Sequence, residues 1–460
     1  MEVYDVIIIG AGLSGLAAGI RLSQYGKRVR ILERQRYAGG LNSYYFRNGR
    51  CCDVGLHAMT NLARQGEHSA PLNTLLRQLR IRREELELCP QKRSRVKFPD
   101  ATLCFDNDFE TMRGSVRDAF PKSADGFDRL VKMIAEDDSF NPSLGYLSAR
   151  KILDEMIPDE LLREMLLCPM MFYGSSWLDD MDFHQFCVMF RSIFFEGLCR
   201  PANGMGPFVQ VFLRRLAENG VELSLGKSVR SIHLRNGLVA SVEMGDGEEI
   251  GAKSFVSCAG YPETMKLLSS PLVKQPATGG LAYSETLFEL DAPAISFGMD
   301  DSILFVNDSQ QFRYHPPLGC AVDMGSHLLC APGNFTGVHE EEGVFVLRMS
   351  HLANYGYWKE LDRPSYETEK EAVMASQRAL LERTYPAIGA HITRSEMITP
   401  LTLERYTGRL GGAIYGSPEK RKDCRTMIPN LYVCGTDQGF LGIVGSLLSG
   451  VVVSNRYLIR

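Results

Sequence analysis

Val6-Ile-Ile-Ile-Gly10-Ala-Gly12-Leu-Ser-Gly15, followed further on by Ile31-Leu32-Glu33, decides the fold. An apolar run that stops at a glycine cluster reads as a buried strand turning tightly into a helix. Gly10 permits the turn, Gly12 lets the backbone approach a pyrophosphate, and Gly15 lets helix and strand pack closely. The helix N-terminus then offers free N–H groups and a positive dipole end to phosphates. Glu33 closes the second strand twenty-three residues after Gly10. A carboxylate there accepts hydrogen bonds from ribose hydroxyls and repels a 2′-phosphate, which predicts FAD or NAD rather than NADP. The competing reading is a glycine-rich turn with no ligand. It leaves the joint spacing of strand, helix, second strand and acidic end unexplained.

A chain of 460 residues carries two or three domains' worth of core. Its 45% hydrophobic and 23% charged content is that of a soluble globular protein. The net charge of −4 provides no basic field for nucleic acid. The 12 cysteines are scattered without a CxxC pair and read as free thiols, with Cys51-Cys52 as ordinary strand residues. The 9 histidines make no HxxxH or HxxEH pattern, so no metal site is expected. The first apolar run follows Glu2 and Asp5 instead of a basic segment, so it does not read as a secretory signal. No apolar run reaches the ~18 residues of a membrane-spanning helix. Gly439–Ser454 comes nearest and reads better as a helix buried against a cofactor.

Along the chain, Gly39-Gly40-Leu41-Asn42-Ser43 lies just past Glu33. The aromatic run Tyr44–Phe46, the turn at Asn48-Gly49 and Asp53-Val54-Gly55-Leu56-His57 suggest a hairpin. Residues 66–199 are richer in charge and in helical periodicity. Leu161–Leu167 and Phe183–Phe195 are the most apolar helical segments, and Met and Phe crowd between Met165 and Phe195. Core packing is the favoured reading of that crowd, with a tunnel wall or a membrane-dipping face as the other. Arg77–Arg95 reads as a solvated helix and loop, and Glu340-Glu341-Glu342 as a solvated loop. Residues 200–270 return to α/β: a helix over Pro207–Asn219, a strand from Val229, a hairpin turn at Arg235-Asn-Gly237 and a buried strand ending at Cys258-Ala259-Gly260. Strand-like runs follow at Thr286–Leu290, Ile303–Val306 and Val344–Met349, then a helix over Tyr366–Thr384 and a buried strand at Asn430–Gly435.

The opening motif, Gly39-Gly40, Asp53-Val-Gly55-Leu-His57, Gly204-Met-Gly206 and the segment Leu431–Gly450 together resemble the FAD-dependent amine oxidase and phytoene desaturase superfamily. Thr399-Pro-Leu-Thr402, Tyr406-Thr-Gly408, Gly412-Ala-Ile-Tyr415-Gly416 and Gly435-Thr-Asp437 resemble its carotenoid isomerase and retinol saturase-like branch. The resemblance implies an α/β fold, a Rossmann-like FAD-binding domain with an interleaved α+β substrate domain. Residues 1–65, 200–270 and 410–460 would make the first, and 66–199 and 271–409 the second.

Carried over by position, Gly10, Ala11, Gly12, Ser14 and Gly15 would hold the pyrophosphate and Glu33 the adenosine ribose. Val229 would contact the adenine side through its backbone, and Gly40, Ala259, Gly435 and Gly442 would line the cofactor. Asp437 would sit near the ribityl-phosphate. Ile443 and Val444 would present backbone N–H groups to the flavin pyrimidine carbonyl. Relatives carry Arg or Lys after the double glycine where this chain has Leu41-Asn42, so a basic contact would come from Arg34, Arg36 or Arg47. Cys434 lies within the strand, which implies non-covalent FAD.

Three residues are candidates for proton chemistry. His57 could protonate a carbanion or be a hydrogen-bonded structural histidine. Tyr415, like Tyr406, could donate a proton or simply pack. Glu404 and Arg405 read as a structural ion pair. The expected activity is desaturation, saturation or isomerisation at carbon–carbon bonds of a long apolar isoprenoid such as a carotenoid. The alternative is a flavin amine oxidase, which would need an aromatic cage that the sequence does not display. Such a substrate implies a cytoplasmic protein with peripheral contact at the inner face of the membrane, and leaves the redox partner open.

Overall fold

A computed structural model describes residues 4–47, 49–55, 58–62, 66–139, 141–268, 275–338, 340 and 343–459. His57 lies outside them. Tyr4–Ile9 sits in the middle of a seven-stranded sheet, in parallel with Val29–Glu33 on one side and Glu249–Ser257 on the other. A strand flanked on both sides in a covered parallel sheet must be apolar on both faces, which is why Val6–Ile9 does not alternate. Glu222–Leu225 closes one edge, Val229–Arg235 the other, and Leu431–Val433 runs parallel to the end of Glu249–Ser257. The hairpin between Val229–Arg235 and Leu238–Met244 turns at Asn236 and Gly237, both with positive φ (55° and 76°), as a tight primed turn requires.

Leu13–Ser23 and Gly442–Val453 pack face to face over this sheet. Small residues make the approach possible. A Cβ on Gly450 would overlap the Ser14 carbonyl oxygen, and one on Gly15 would overlap that of Gly10. Tyr44–Arg47 pairs with Arg50–Asp53, so Cys51 and Cys52 are strand residues.

The second sheet also has seven strands, in the order Ile392–Ile398, Ala282–Leu290, Phe345–Ala353, Ser326–Cys330, Ile303–Asn307, Ser94–Lys97 and Thr102–Phe105. Helices between Phe109 and Phe190 cover it. The Met and Phe crowd forms its core: Met165, Met170, Met171, Phe183, Phe186, Phe190 and Phe194 are buried in one cluster.

Three expectations need correction. The stretch Arg77–Arg95 is not a solvated helix and loop throughout. Ser94–Lys97 is a sheet strand, and Arg93 and Arg95 pair with the fully buried Asp301. Glu404 does not pair with Arg405. It accepts from the Tyr355 hydroxyl at 2.7 Å and the Gly411 N–H at 3.1 Å. Of Glu340-Glu341-Glu342, Glu341 and Glu342 lie outside the described residues, and Glu340 is half-buried, its carboxylate accepting from the Val346 N–H at 3.1 Å.

Strands Ser326–Cys330 and Phe345–Ala353 bring His327 and His351 together, with ring centroids 5.5 Å apart. Burial pushes the imidazole of His351 down to about 4, and that of His327 well below its ordinary range. The folded state therefore holds both neutral. Below about pH 6.5 the unfolded chain binds protons that the folded chain refuses, so stability is full above that pH and is lost on acidification toward 4. We expect a loss of about 2 kcal/mol per histidine between pH 7.5 and 5. Urea unfolding at the two pH values measures it, and a flat profile in wild type, or an equally steep one in His351→Gln, would contradict this assignment.

Candidate functional site

One cavity of about 1650 Å³ runs between the two sheets. Sites for a single small molecule usually measure ~300–1,000 Å³, so this one has room for a dinucleotide and a substrate together. It begins at Gly10, Gly12 and Ser14, passes Glu33, Arg34, Gly40, Leu41 and Val229, continues along Ala259, Gly435, Gly442 and Ile443, and ends among Phe172, Tyr173, Tyr283, Leu328, Ile414, Tyr415 and Leu441.

Two helix N-termini open into it. Leu13–Ser23 starts at Gly12 and Gly442–Val453 at Leu441, neither with a side-chain cap nor an acidic residue in its first turn. Uncapped first-turn N–H groups need a partner, and an anion or a carbonyl oxygen in the cavity supplies one. A Cβ on Gly12 would meet nothing within 4 Å, so the backbone there borders open cavity. A Cβ on Gly40 would lie 3.2 Å from the Gly12 Cα. The residues present thus fit a bound pyrophosphate: bare backbone, two positive helix ends and no side chain in the way.

Glu33 is buried at the end of its strand, and its carboxylate accepts from the Ala11 N–H at 2.7 Å and the Gln35 N–H at 2.8 Å. Each oxygen keeps a lone pair for a ribose hydroxyl. Of the three arginines expected to replace the missing basic contact, Arg47 is paired with Glu396, while Arg34 donates to the Arg405 carbonyl. All three arginines line the cavity.

Ala11, Gly15 and Val444 stand behind the lining, buried in the helix–sheet core. Asp437 also differs from expectation. It is fully buried, and its carboxylate accepts from the N–H groups of Tyr261 (2.5 Å) and Ser417 (2.9 Å) and from the Arg409 guanidinium (3.0 Å). The Lys420 ammonium lies 3.9 Å away. These neighbours hold Asp437 below the usual carboxylate range against the opposing effect of burial, whereas burial pushes Lys420 down to about 8. The cluster fastens the Arg409–Lys420 loop to the Thr436–Gln438 turn, behind the cavity wall.

Tyr415 lines the cavity, but its hydroxyl donates to the Phe172 carbonyl, and burial pushes the phenol well up. Its ring meets that of Tyr283 edge-on at 6.2 Å and 85°, and the Tyr283 hydroxyl is 2.8 Å from that of Tyr314. Tyr406 sits at the exposed rim under the Arg405 guanidinium. Two motifs read separately in the sequence meet here. Asp53 accepts from the Met205 N–H at 2.7 Å and pairs with Arg200, so it caps the helix Met205–Glu218 from a distant strand.

The model of the family described as flavin containing amine oxidoreductase matches residues 13–287. The chain belongs to that family. As a flavin-containing amine oxidoreductase family member it is an FAD-dependent oxidoreductase, with the Rossmann-like and α+β halves described above. It is 24% identical to the chloroplastic prolycopene isomerase of Daucus carota over 98% of this chain and 80% of that one. It is also 24% identical to the 4,4'-diapophytoene desaturase (4,4'-diapolycopene-forming) of a Methylomonas species, over 59% of this chain and 57% of that one. Among solved structures, putrescine oxidase bound to putrescine superimposes with a TM-score of 0.65 at 17% identity, covering all of both chains. That likeness is one of fold.

Proposed function

We propose that this flavoenzyme acts on carbon–carbon bonds of a long apolar isoprenoid, a carotenoid-like polyene, by desaturation, saturation or isomerisation. The observation that carries this reading is the far end of the cavity, walled by Phe172, Tyr283, Leu328, Ile414, Tyr415 and Leu441. The 24% identity to prolycopene isomerase over nearly the whole chain supports it. FAD, held without a covalent link, supplies hydride transfer to or from carbon. The chain's own residues do the rest. The Leu13–Ser23 N-terminus and Glu33 hold pyrophosphate and ribose, and Val229 and Ala259 flank the nucleotide. The Gly442–Ile443 N–H groups favour negative charge on the ring system. The aromatic wall excludes water and aligns the polyene. The division into residues 1–65, 200–270 and 410–460 for FAD and 66–199 and 271–409 for substrate fits the strands' membership of the two sheets.

The amine oxidase alternative is disfavoured by Tyr283 and Tyr415, which pack edge-on with engaged hydroxyls and leave no slot between parallel rings. To test the reading, the protein is expressed in cells that accumulate phytoene or lycopene and the pigment masses are compared with an empty-vector control. Loss of hydrogen pairs identifies a desaturase, gain a saturase, and equal mass with shifted retention an isomerase. Unchanged pigments together with hydrogen peroxide release from simple amines would overturn it.

Removing Glu33 with alanine deletes the ribose acceptor and frees the Ala11 N–H. We expect FAD binding to weaken by about 1–3 kcal/mol, read by flavin fluorescence titration. Unchanged affinity would take Glu33 out of the site.

Peripheral membrane contact is part of the same proposal. No helix among the described residues is long and apolar enough to cross a membrane. Tyr146, Leu147, Trp177 and Leu178 form an exposed apolar patch, with the Tyr146 and Trp177 rings 4.5 Å apart. Trp177 borders a second cavity whose wall shares Leu441 with the first. We expect the protein to float with anionic vesicles, and Trp177→Ser with Leu178→Ser to lose most of that binding.

A further inference from the structure

We propose that Cys258 and Cys434 form an oxidisable dithiol beneath the dinucleotide loop, which a hydroperoxide closes to a disulfide when FAD is absent. The pairing follows from strand register. Glu249–Ser257 and Leu431–Val433 run parallel with Ser257 opposite Val433, and the next residue of each strand is a cysteine. The Cys434 N–H still donates to the Ser257 carbonyl at 2.9 Å, so the two chains stay in register to this point. The two sulfurs lie 3.1 Å apart. Neighbouring strands are spaced ~4.8 Å, inside the ~4.4–6.8 Å window for bridged Cα atoms, and an S–S bond measures ~2.05 Å. Closure therefore needs only about 1 Å of sulfur movement.

The two thiols differ in access. Cys434 is buried, while Cys258 lines the large cavity. Cys258 also supports the dinucleotide loop. A Cβ on Gly10 would lie 3.4 Å from its Cβ, and one on Gly15 would lie 3.2 Å from its Sγ. The Ser14 hydroxyl stands beside Cys434, and hydrogen bonding with Cys258 together with burial holds the Cys434 thiol protonated. Cys258 is therefore the attacking group. Its thiolate displaces water or an alcohol from the hydroperoxide and becomes a sulfenic acid. The Cys434 sulfur then attacks the Cys258 sulfur and loses its proton, and the sulfenic oxygen leaves as water. Two thiols and one hydroperoxide give one disulfide, one alcohol (water, for hydrogen peroxide) and one water.

Dependence on cofactor rests on the FAD reading of the cavity. A dinucleotide lying on Gly10–Ser14 covers Cys258, so the loaded enzyme keeps its dithiol and the empty one is marked.

The experiment is a non-reducing peptide map of wild-type protein, FAD-loaded and stripped, after hydrogen peroxide treatment. The expected result for stripped protein is a cross-linked pair of peptides containing Cys258 and Cys434, lighter by two hydrogens and separated by dithiothreitol. The loaded protein should form it at least tenfold more slowly. In Cys434→Ser, Cys258 should accumulate as sulfinic acid for want of a partner. Recovery of Cys258 unmodified, or as sulfinic acid without a link in the wild type, overturns the dithiol. Equal rates with and without FAD overturn the protection. A protein that never takes up flavin would undo the FAD reading while leaving the cross-link in place.

Discussion

Asp437→Ala is expected to destabilise the protein by about 3–5 kcal/mol, the cost of breaking a buried charge cluster from one side. The carboxylate is fully buried and compensates the buried Arg409, with the Lys420 ammonium nearby. Two backbone N–H groups, of Tyr261 and Ser417, end on the same carboxylate. The substitution leaves the two N–H groups without their acceptor and takes the nearest counter-charge from Arg409 and Lys420, which keep only the Glu263 carboxylate at 3.8 Å and the Tyr415 carbonyl at 2.5 Å. Charge so poorly compensated in a low-dielectric interior is costlier than the lost contact alone. Asp437→Asn keeps the shape but not the charge, and should recover only part of the loss. Denaturant unfolding measures both. A change under ~1 kcal/mol would mean that water reaches the cluster and screens it. Flavin retention should fall in parallel, because the Thr436–Gln438 turn leads directly into the Gly442 helix start.

Gly15→Ala and Gly12→Ala should separate folding from cofactor binding. A Cβ at Gly15 overlaps the Gly10 carbonyl oxygen, which is backbone and has nowhere to yield. The helix must move off the strand, at about 1–3 kcal/mol of stability, and its N-terminus leaves the phosphate position. FAD affinity should fall by roughly 100-fold or more, near 2.7 kcal/mol. Gly12 has an ordinary φ of −65° and open space around its missing Cβ. Its replacement should leave unfolding within ~0.5 kcal/mol of wild type yet weaken FAD about tenfold, because the methyl enters the cavity. Equal effects of the two substitutions on folding would refute this assignment of the loop.

What could be read from the sequence was local. The strand–glycine–helix motif, both hairpins and the C-terminal helix depend on neighbours a few residues away, and Asn236-Gly237 or Gly12–Gly15 state their geometry directly. The features that escaped depend on long-range pairing. Ser94–Lys97 is short and rich in charge, and becomes a strand because Ile303–Asn307 lies alongside it. Asp53 looks like part of a motif beside His57, yet its carboxylate serves a helix that begins at Met205. Asp437 was expected to face the cofactor by resemblance. Its environment is decided by Arg409 and Lys420, brought in by a loop that no periodicity announces. Cys258 and Cys434 stand 176 positions apart and meet only through strand register.

The packing of Gly442–Val453 on Leu13–Ser23 also imposes a timetable. More than four hundred residues of chain separate these two helices. At ribosomal rates of ~5–20 residues per second, the first helix waits roughly 20–80 s for its partner, with the Ser14–Ala18 face that meets Gly450 uncovered meanwhile. During synthesis the nucleotide half therefore stays incomplete until its last helix emerges, whereas the helices between Phe109 and Phe195 find most of their helical partners within one stretch. Variants that slow emergence of the last fifty residues should lower the yield of soluble protein without changing the stability of the molecules that complete folding.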